Sequence, residues 1–172
     1  MIKIAVIGCG RIANIKHFPA LTEIEGVRIK YAVDLIGARA EQAKEKYHCD
    51  FAETDYRVAL RDPEITAVYV LTPNYAHYEI TMAALAAGKH VFCEKPITVN
   101  YSLSCKMQAL ANEKKRILNI GVCNRYHRSV ELIRQLYEEG ALGELYHIYC
   151  SFRDFRCIPG LGGDFTSKAK SG

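Results

Sequence analysis

Residues 2–13 read Ile-Lys-Ile-Ala-Val-Ile-Gly-Cys-Gly-Arg-Ile-Ala, and this stretch decides the fold. Its first part is a short apolar run rich in isoleucine and valine, typical of a strand, and Gly8 ends it. The following residues match the pattern G-x-G-x-x-A at the start of a predicted helix. In a dinucleotide-binding turn, Gly8 allows the tight turn, Gly10 lets a diphosphate approach the backbone, and Ala13 lets the helix pack closely on the strand. A plain structural turn is the alternative.

The helix that follows this turn would present its positive end to the diphosphate. Its first residues, Arg11 and Ile12, are therefore candidate cofactor contacts through the start of the helix. Pro19 falls inside the helical pattern of residues 11–25 and should kink or interrupt that helix.

The rest of the chain alternates between strand-like and helical segments. Strands are predicted at 27–33, 49–52, 67–71, 90–93, 117–122 and 145–152, and helices at 38–47, 56–61, 76–87, 101–115 and 129–139. This repeated order of strand and helix over about 120 residues predicts an α/β fold with a parallel, doubly wound Rossmann sheet.

Composition excludes several classes of protein. Apolar residues make up 49% of the chain, and 23 basic against 19 acidic residues give a net charge of +4, too small to predict nucleic-acid or anionic-membrane binding. No apolar run approaches the roughly 18 residues of a membrane span, and the first one leads straight into a glycine turn, unlike a signal peptide. We expect a soluble, cytoplasmic protein.

The cysteines form no C-x-x-C pair, so neither a zinc site nor a disulfide framework is predicted, and no metal site is expected. Most of them lie in apolar runs, which predicts reduced thiols in the core. They are Cys9, Cys49, Cys93, Cys105, Cys123, Cys150 and Cys157.

Asp34 follows the second predicted strand, about 20 residues after Ala13, where an acidic side chain accepts hydrogen bonds from the adenosine ribose. The same carboxylate would repel a 2′-phosphate, which favours NAD over NADP. An N-cap of the next helix is the alternative. Arg39 could contact the adenine or a 2′-phosphate, so NADP stays open, or it could be a solvated helix charge.

Two further loops lie at the carboxyl edge of the predicted sheet, where ligands bind in open α/β folds. Thr72 and Asn74 could bond a cofactor phosphate or ribose, with helix capping as the alternative. His77 is a further candidate cofactor contact, although a packed histidine is the commoner case. In Glu94-Lys95-Pro96, a lysine beside the nicotinamide could exchange a proton with a substrate hydroxyl, whereas Glu-Lys alone is usually a surface ion pair.

Asn124-Arg125-Tyr126 follows the strand predicted at 117–122. Asn124 is a candidate cofactor contact. Arg125 and Tyr126 could touch an anionic or polyhydroxylated substrate, and a salt bridge at the entry of the next helix is the alternative.

Together these motifs resemble those of the Gfo/Idh/MocA oxidoreductases, the relatives of glucose–fructose oxidoreductase and inositol dehydrogenase. The Glu-Lys-Pro corner after the Thr-Pro-Asn loop is fairly specific to that family. The shared motifs are Gly-Cys-Gly-Arg-Ile-Ala at 8–13, Asp34, Thr-Pro-Asn-Tyr-Ala-His at 72–77, Glu-Lys-Pro at 94–96 and Gly-Val-Cys-Asn-Arg-Tyr at 121–126.

The resemblance implies an NAD(P)-binding Rossmann domain at residues 1–122 and, at 123–172, the beginning of an α/β domain for substrate binding and oligomerisation. It implies that Lys95 positions the substrate and relays its proton, with Glu94 as a neighbouring cofactor contact and the peptide before Pro96 often in cis. Family members mostly oxidise a sugar or cyclitol hydroxyl, or run the reverse reaction, with hydride passing to or from nicotinamide. A homo-oligomer is expected when the second domain is complete.

One family feature is missing from the sequence. Members usually carry an Asp-x-x-x-His motif on a helix of the second domain, whose histidine joins the lysine in acid–base chemistry. No such spacing occurs here, and the chain reaches Lys170-Ser171-Gly172 about where that helix would begin. A fragment of a longer protein is expected, with a naturally truncated protein as the alternative.

The resulting hypothesis is an NAD(P)-dependent dehydrogenase or reductase of a small polyol or sugar, with Lys95 as its catalytic residue. An NAD-dependent glycoside hydrolase is one alternative, because the same fold and lysine serve that reaction. A non-catalytic NAD-binding sensor is the other, and the missing Asp-x-x-x-His motif is the feature that favours it.

Overall fold

Six parallel strands form one sheet in the computed structural model, which describes residues 1–151 of the chain. Their order across the sheet is β3-β2-β1-β4-β5-β6, so β1 and β4 are neighbours where the order reverses. The predicted parallel, doubly wound Rossmann sheet is therefore confirmed. Ligands of such sheets bind outside the carboxyl ends of the strands at this reversal. The strands are β1 Ile2–Ile7, β2 Val27–Val33, β3 Phe51–Glu53, β4 Ile65–Val70, β5 His90–Cys93 and β6 Leu118–Ile120.

Helices connect the strands. The first helical segment spans residues 11–22, and it is π-helical over Ala13–His17 before the short α-helix α1 begins. It ends three residues before the predicted end at 25. Pro19 has no N–H to donate, and just before it Phe18 N–H bonds to Ala13 O in a wide turn, as expected for an interrupted helix. The α-helices are α1 Phe18–Thr22, α2 Gly37–Tyr47, α3 Tyr56–Arg61, α4 His77–Ala86 and α5 Tyr101–Lys114.

The central strand β1 is buried on both faces. Its residues Ile4 and Val6 belong to one cluster of buried side chains, whereas Ala5 and Ile7 belong to another. A strand covered on both sides has no polar face, which explains the continuous apolar run at this point of the sequence. The two clusters fix the sheet between its helices and so hold the carboxyl ends of the strands in place.

The chain divides into two units, Met1–Gly121 and a second unit that begins at Val122. The described part of the second unit contains a 3₁₀ turn, Cys123–Tyr126, and helix α6, Arg128–Glu138. The strand predicted at 145–152 is wrong over residues 145–151, which have no regular structure. A strand requires a hydrogen-bonding neighbour, and none lies beside this segment within the described residues. No helix of residues 1–151 has the length and apolarity needed to cross a bilayer.

The cysteines divide into two groups. The prediction of core thiols holds for Cys9, Cys49 and Cys93, which are buried, and is wrong for Cys105, Cys123 and Cys150, which are exposed. The exposed ones lie on the outer face of α5 and in the second unit, so the apolar runs around them do not place them in the core. Cys157 lies outside the described residues.

Candidate functional site

The glycine turn after β1 has the geometry predicted for a diphosphate cradle. Gly8 has φ +100°, and a Cβ there would lie 2.7 Å from the backbone carbonyl of Leu71, so only glycine fits. At Gly10 a Cβ would meet nothing within 4 Å, which leaves open space beside the backbone. Ala13 is fully buried against the sheet. The backbone at Gly10 is therefore open on one side, whereas Gly8 is packed against the end of β4.

The start of the first helix faces this space. Its first backbone bond runs from Asn14 N–H to Gly10 O at 3.1 Å. The N–H groups of Arg11, Ile12 and Ala13 precede that bond, and helix geometry leaves such groups for an anion. The side chains of Arg11 and Ile12 are exposed, that of Ile12 at 42%.

Two residues that the sequence did not reveal hold the turn in shape. Asn14 Nδ2 donates to Cys9 O at 2.8 Å and to Gly10 O at 3.0 Å. Tyr47 reaches across from α2, and its hydroxyl donates to Asn14 O at 3.1 Å. The Asn14 bonds are local and typical of asparagine near a helix start, so they were within reach of sequence reasoning. The Tyr47 contact spans 33 positions and has no local signal.

Asp34 joins the glycine turn to the end of β2. Its Oδ2 accepts the N–H of Cys9 and its Oδ1 accepts the N–H of Ile36, each at 2.9 Å. The N-cap of α2 is Ile36, so Asp34 does not have the capping position that was its alternative interpretation. Each carboxylate oxygen keeps a lone pair that can accept a ribose hydroxyl. Arg39 is exposed in the first turn of α2.

The loop after β4 borders the turn on its other side. Thr72 has a buried hydroxyl oxygen with no hydrogen-bond partner among the described residues, which is an available donor for a bound ligand. Asn74 is partly buried in the 3₁₀ turn Asn74–Ala76. Neither residue caps α4, whose N-cap is Ala76.

His77 connects two loops of the site rather than facing open space. Its side chain is 1% exposed, with Nδ1 2.7 Å from Pro96 O and Nε2 2.9 Å from Thr72 O. Both ring nitrogens thus face backbone carbonyls, and the one that carries the proton donates to its carbonyl. A direct ring contact to a cofactor does not fit this geometry, and the role that does fit is to hold the two loops together.

The Glu94-Lys95-Pro96 corner follows β5 at the same sheet edge. The Lys95–Pro96 peptide is cis, and the Lys95 side chain is exposed. Glu94 accepts the Lys95 N–H on Oε2 at 2.9 Å and contacts His17 Nε2 through Oε1 at 2.9 Å. Burial opposes ionisation of Glu94, but these two hydrogen bonds outweigh it and lower the pKa of the carboxyl. His17 was not anticipated from the sequence.

The remaining candidate residues belong to the second unit. Asn124, Arg125 and Tyr126 lie in the 3₁₀ turn Cys123–Tyr126 and are exposed, Tyr126 at 69%. Arg125 and Tyr126 line a groove along α6 together with Arg134. Their predicted contacts to cofactor and substrate stay predictions.

In the first unit, the carboxyl ends of neighbouring parallel strands thus bring the glycine turn, Asp34, the Thr72 loop and the lysine corner to one edge. Residues 2–122 match the family model GFO_IDH_MocA, an oxidoreductase family with an NAD-binding Rossmann fold. This match covers the whole of that edge.

Individual proteins that are similar to this chain are also named as dehydrogenases or reductases. The chain is 33% identical over 153 residues to myo-inositol 2-dehydrogenase of Thermotoga maritima, covering 88% of this chain and 45% of the relative. It is 30% identical over 160 residues to dTDP-3,4-didehydro-2,6-dideoxy-alpha-D-glucose 3-reductase of Saccharopolyspora spinosa, covering 93% and 46%. The crystal structure of KijD10, a 3-ketoreductase from Actinomadura kijaniata in complex with NADP, matches with a TM-score of 0.75 and 29% identity, covering 83% and 45%. The chain therefore spans less than half the length of each.

Proposed function

Because this chain belongs to the Gfo/Idh/MocA family of oxidoreductases with an NAD-binding Rossmann fold, we propose that it is the cofactor-binding part of an NAD(P)-dependent dehydrogenase or reductase. The substrate class that we propose is a sugar or cyclitol, at the level of a CH–OH group or its ketone. Three observations carry the proposal: the open space at Gly10, the Asp34 carboxylate that accepts the N–H of the adjacent Cys9, and the buried Thr72 hydroxyl without a partner among the described residues.

The described residues suit a nicotinamide dinucleotide. The N–H groups at the start of the first helix would bind the diphosphate, and the open side of Gly10 would let it approach. Asp34 would accept the hydroxyls of the adenosine ribose, and Thr72 would donate to a phosphate or ribose oxygen. A negative charge at position 34 disfavours a 2′-phosphate, so we propose a preference for NAD, which Arg39 would oppose.

We assign the transfer of the substrate's hydroxyl proton to Lys95. Oxidation of a secondary alcohol removes a hydride from carbon and a proton from oxygen, and a bound nicotinamide takes the hydride. An exposed lysine at the carboxyl edge can accept the hydroxyl proton on its neutral amine and return it in the reverse reaction. Glu94 holds the backbone N–H of Lys95, which fixes where the side chain starts.

The substrate class rests on the relatives and stays part of the proposal. One of them is named as an inositol dehydrogenase and another as a reductase of a nucleotide-linked sugar. Arg125 and Tyr126 remain the proposed substrate contacts, Asn124 a proposed cofactor contact, and homo-oligomerisation a proposal for the complete protein.

The first test is titration of the purified chain with NAD⁺, NADH, NADP⁺ and NADPH by calorimetry. Binding of at least one pair is expected, with the NAD pair tighter, and no heat with any of the four would overturn the proposal. Lys95→Ala serves as the control, because its affinity for nucleotide should stay within about threefold of the original.

The second test uses the complete gene product with myo-inositol and hexoses, and it follows nicotinamide absorbance. Net reduction of the nicotinamide by the original protein, lost in Lys95→Ala, supports a dehydrogenase. Sugar release from glycosides without net reduction would instead indicate the hydrolase, and binding without either reaction would indicate the sensor.

A further inference from the structure

His17 links the helix of the glycine turn to the lysine corner. It is the last residue of the π-helical segment, and its ring reaches the end of β5, where Nε2 lies 2.9 Å from Glu94 Oε1. The other oxygen of that carboxylate accepts the backbone N–H of Lys95. Glu94 thus connects an element of the proposed diphosphate site with the backbone of the proposed proton carrier.

Aromatic side chains fix the orientation of the His17 ring. The ring meets Phe92 edge-on, with centroids 5.3 Å apart and planes at 61°, and meets Tyr69 at 6.2 Å and 65°. Tyr69 and Phe92 stack on each other at 4.8 Å. Edge-to-face contacts restrict the plane of a ring, so these neighbours keep Nε2 directed at Glu94. The side chains of His17 and Glu94 are only 13% and 14% exposed, so water screens their interaction weakly.

Gly121 confines the carboxylate from another side. A Cβ at this position would lie 3.1 Å from Phe92 Cζ and 3.2 Å from Glu94 Oε1, tighter than ordinary contact. Its N–H donates to Cys93 O at 2.8 Å, which holds the backbone in this place. Glu94 therefore has little freedom to leave its two donors.

This arrangement leaves the side chain of Lys95 available. Both oxygens of Glu94 already have a donor, His17 on one and the Lys95 backbone on the other. Within residues 1–151, no carboxylate lies in ion-pair distance of the Lys95 ammonium. An adjacent glutamate would otherwise be the natural partner of that ammonium, since the two residues are neighbours in the chain.

We propose that His17 is a positioning residue for Lys95. Through Glu94 it fixes the lysine backbone relative to the glycine turn, and it occupies the carboxylate oxygen that would otherwise bind the lysine ammonium. The importance of Lys95 rests on the proposed function, whereas the connection itself is a property of the chain without ligand.

The test is amide hydrogen exchange of the chain without nucleotide, followed by NMR. In His17→Leu, Glu94 loses its side-chain partner, and we expect the Lys95 amide to exchange about tenfold faster. His17→Gln keeps an N–H donor at a similar reach and should restore exchange to within about threefold of the original. The internal control is the amide of Val91 in β5, which bonds to Ile117 O at 2.8 Å and should not change.

Two results would overturn the inference. An unchanged Lys95 amide in His17→Leu would show that His17 does not fix it. Equal acceleration of the Lys95 and Val91 amides, without rescue by glutamine, would show that His17 only supports the fold.

Nucleotide titration separates this inference from the proposed function. If the chain binds NADH but His17→Leu does not accelerate exchange of the Lys95 amide, only the proposed role of His17 is contradicted. A chain that shows this acceleration but binds no nucleotide contradicts the proposed function and leaves the connection between His17 and the Lys95 backbone in place.

Discussion

A Cβ atom at position 8 would lie 2.7 Å from the carbonyl carbon and oxygen of Leu71, the residue directly after β4. The contact joins the two strands at the reversal of the sheet order, β1 and β4, which pair in parallel. The atoms in the way are the backbone carbonyl of Leu71 at the end of a central strand, so no flexible side chain could move aside to make room. The glycine that starts the proposed cofactor turn is therefore also required for the fold.

Gly8→Ala should lower the free energy of unfolding by about 2–4 kcal/mol, from backbone strain at φ +100° and from the contact with Leu71. Urea unfolding followed by circular dichroism measures it. Gly26→Ala is the matched control, because Gly26 also has a positive φ, +81°, but its Cβ would meet nothing within 4 Å. Equal losses in the two variants would mean that the contact with Leu71 contributes nothing.

Gly10→Ala should weaken binding without weakening the fold. Its Cβ would enter the open space beside the backbone, which a diphosphate needs and the folded chain itself does not use. We expect the free energy of unfolding to change by less than about 1 kcal/mol and the Kd for NADH to rise at least about tenfold. Fluorescence titration of NADH gives the affinity. An unchanged Kd would place the diphosphate elsewhere.

Asp34→Asn tests the ribose contact and the choice of nucleotide. Removing the charge weakens hydrogen bonds from ribose hydroxyls and also removes the repulsion of a 2′-phosphate. The Kd for NAD⁺ should rise about tenfold while the ratio of the NADP⁺ and NAD⁺ dissociation constants falls. Arg39→Gln is the companion variant and should weaken NADP⁺ more than NAD⁺. If Asp34→Asn weakens both nucleotides equally, its role is limited to holding the Cys9 N–H.

Local patterns were enough to predict much of this site. The turn at 8–13 and Asp34 have specific residue types at fixed offsets from a strand, so a window of about 30 residues contains the signal. The alternation of strand and helix predicts the parallel sheet, and the sheet brings the ends of β1, β4 and β5 together. The rules for connecting parallel strands then leave only a few possible orders of the strands in the sheet.

Contacts between distant residues could not be predicted in this way. His17 and Glu94 are 77 positions apart, and only the folded sheet brings them together. His77 has the residue type of a ligand contact and starts α4 near the edge of the sheet, but its side chain is buried, and burial depends on the packed chain. The strand predicted at 145–152 failed for the complementary reason, since alternating residues describe a strand only when a neighbour pairs with it.

His77→Leu should destabilise the chain and loosen the edge of the site. The ring nitrogens of His77 face the carbonyls of Thr72 and Pro96, and an imidazole with one N–H donates to one of them; leaving that carbonyl unsatisfied costs about 1–3 kcal/mol. We expect a loss of about 1–3 kcal/mol in urea unfolding and weaker NADH binding. His77→Gln, which can reach one of the two carbonyls, should fall between leucine and histidine. A leucine variant as stable as the original would show that these bonds contribute little.

Alkaline pH should destabilise the fold partly through Cys93, the last residue of β5. Burial raises the pKa of this thiol to about 12 from an ordinary value of about 9. Above pH 9 the unfolded chain therefore releases the thiol proton while the folded chain retains it, so the free energy of unfolding falls as the pH rises towards 12. Other buried groups act in the same direction, among them Cys9, whose pKa burial also raises to about 12.

Cys93→Ala isolates the contribution of this thiol. Between pH 8 and pH 10.5 the original chain should lose about 2 kcal/mol more than the variant, because only the original carries a proton that unfolding releases. Urea unfolding at the two pH values measures both losses, and the comparison cancels the other alkaline groups, which the two proteins share. The variant starts less stable at pH 8, since it lacks a buried sulfur atom, so the difference between the proteins should shrink as the pH rises. Parallel losses in the two proteins would mean that the Cys93 thiol ionises as readily in the folded chain as in the unfolded one.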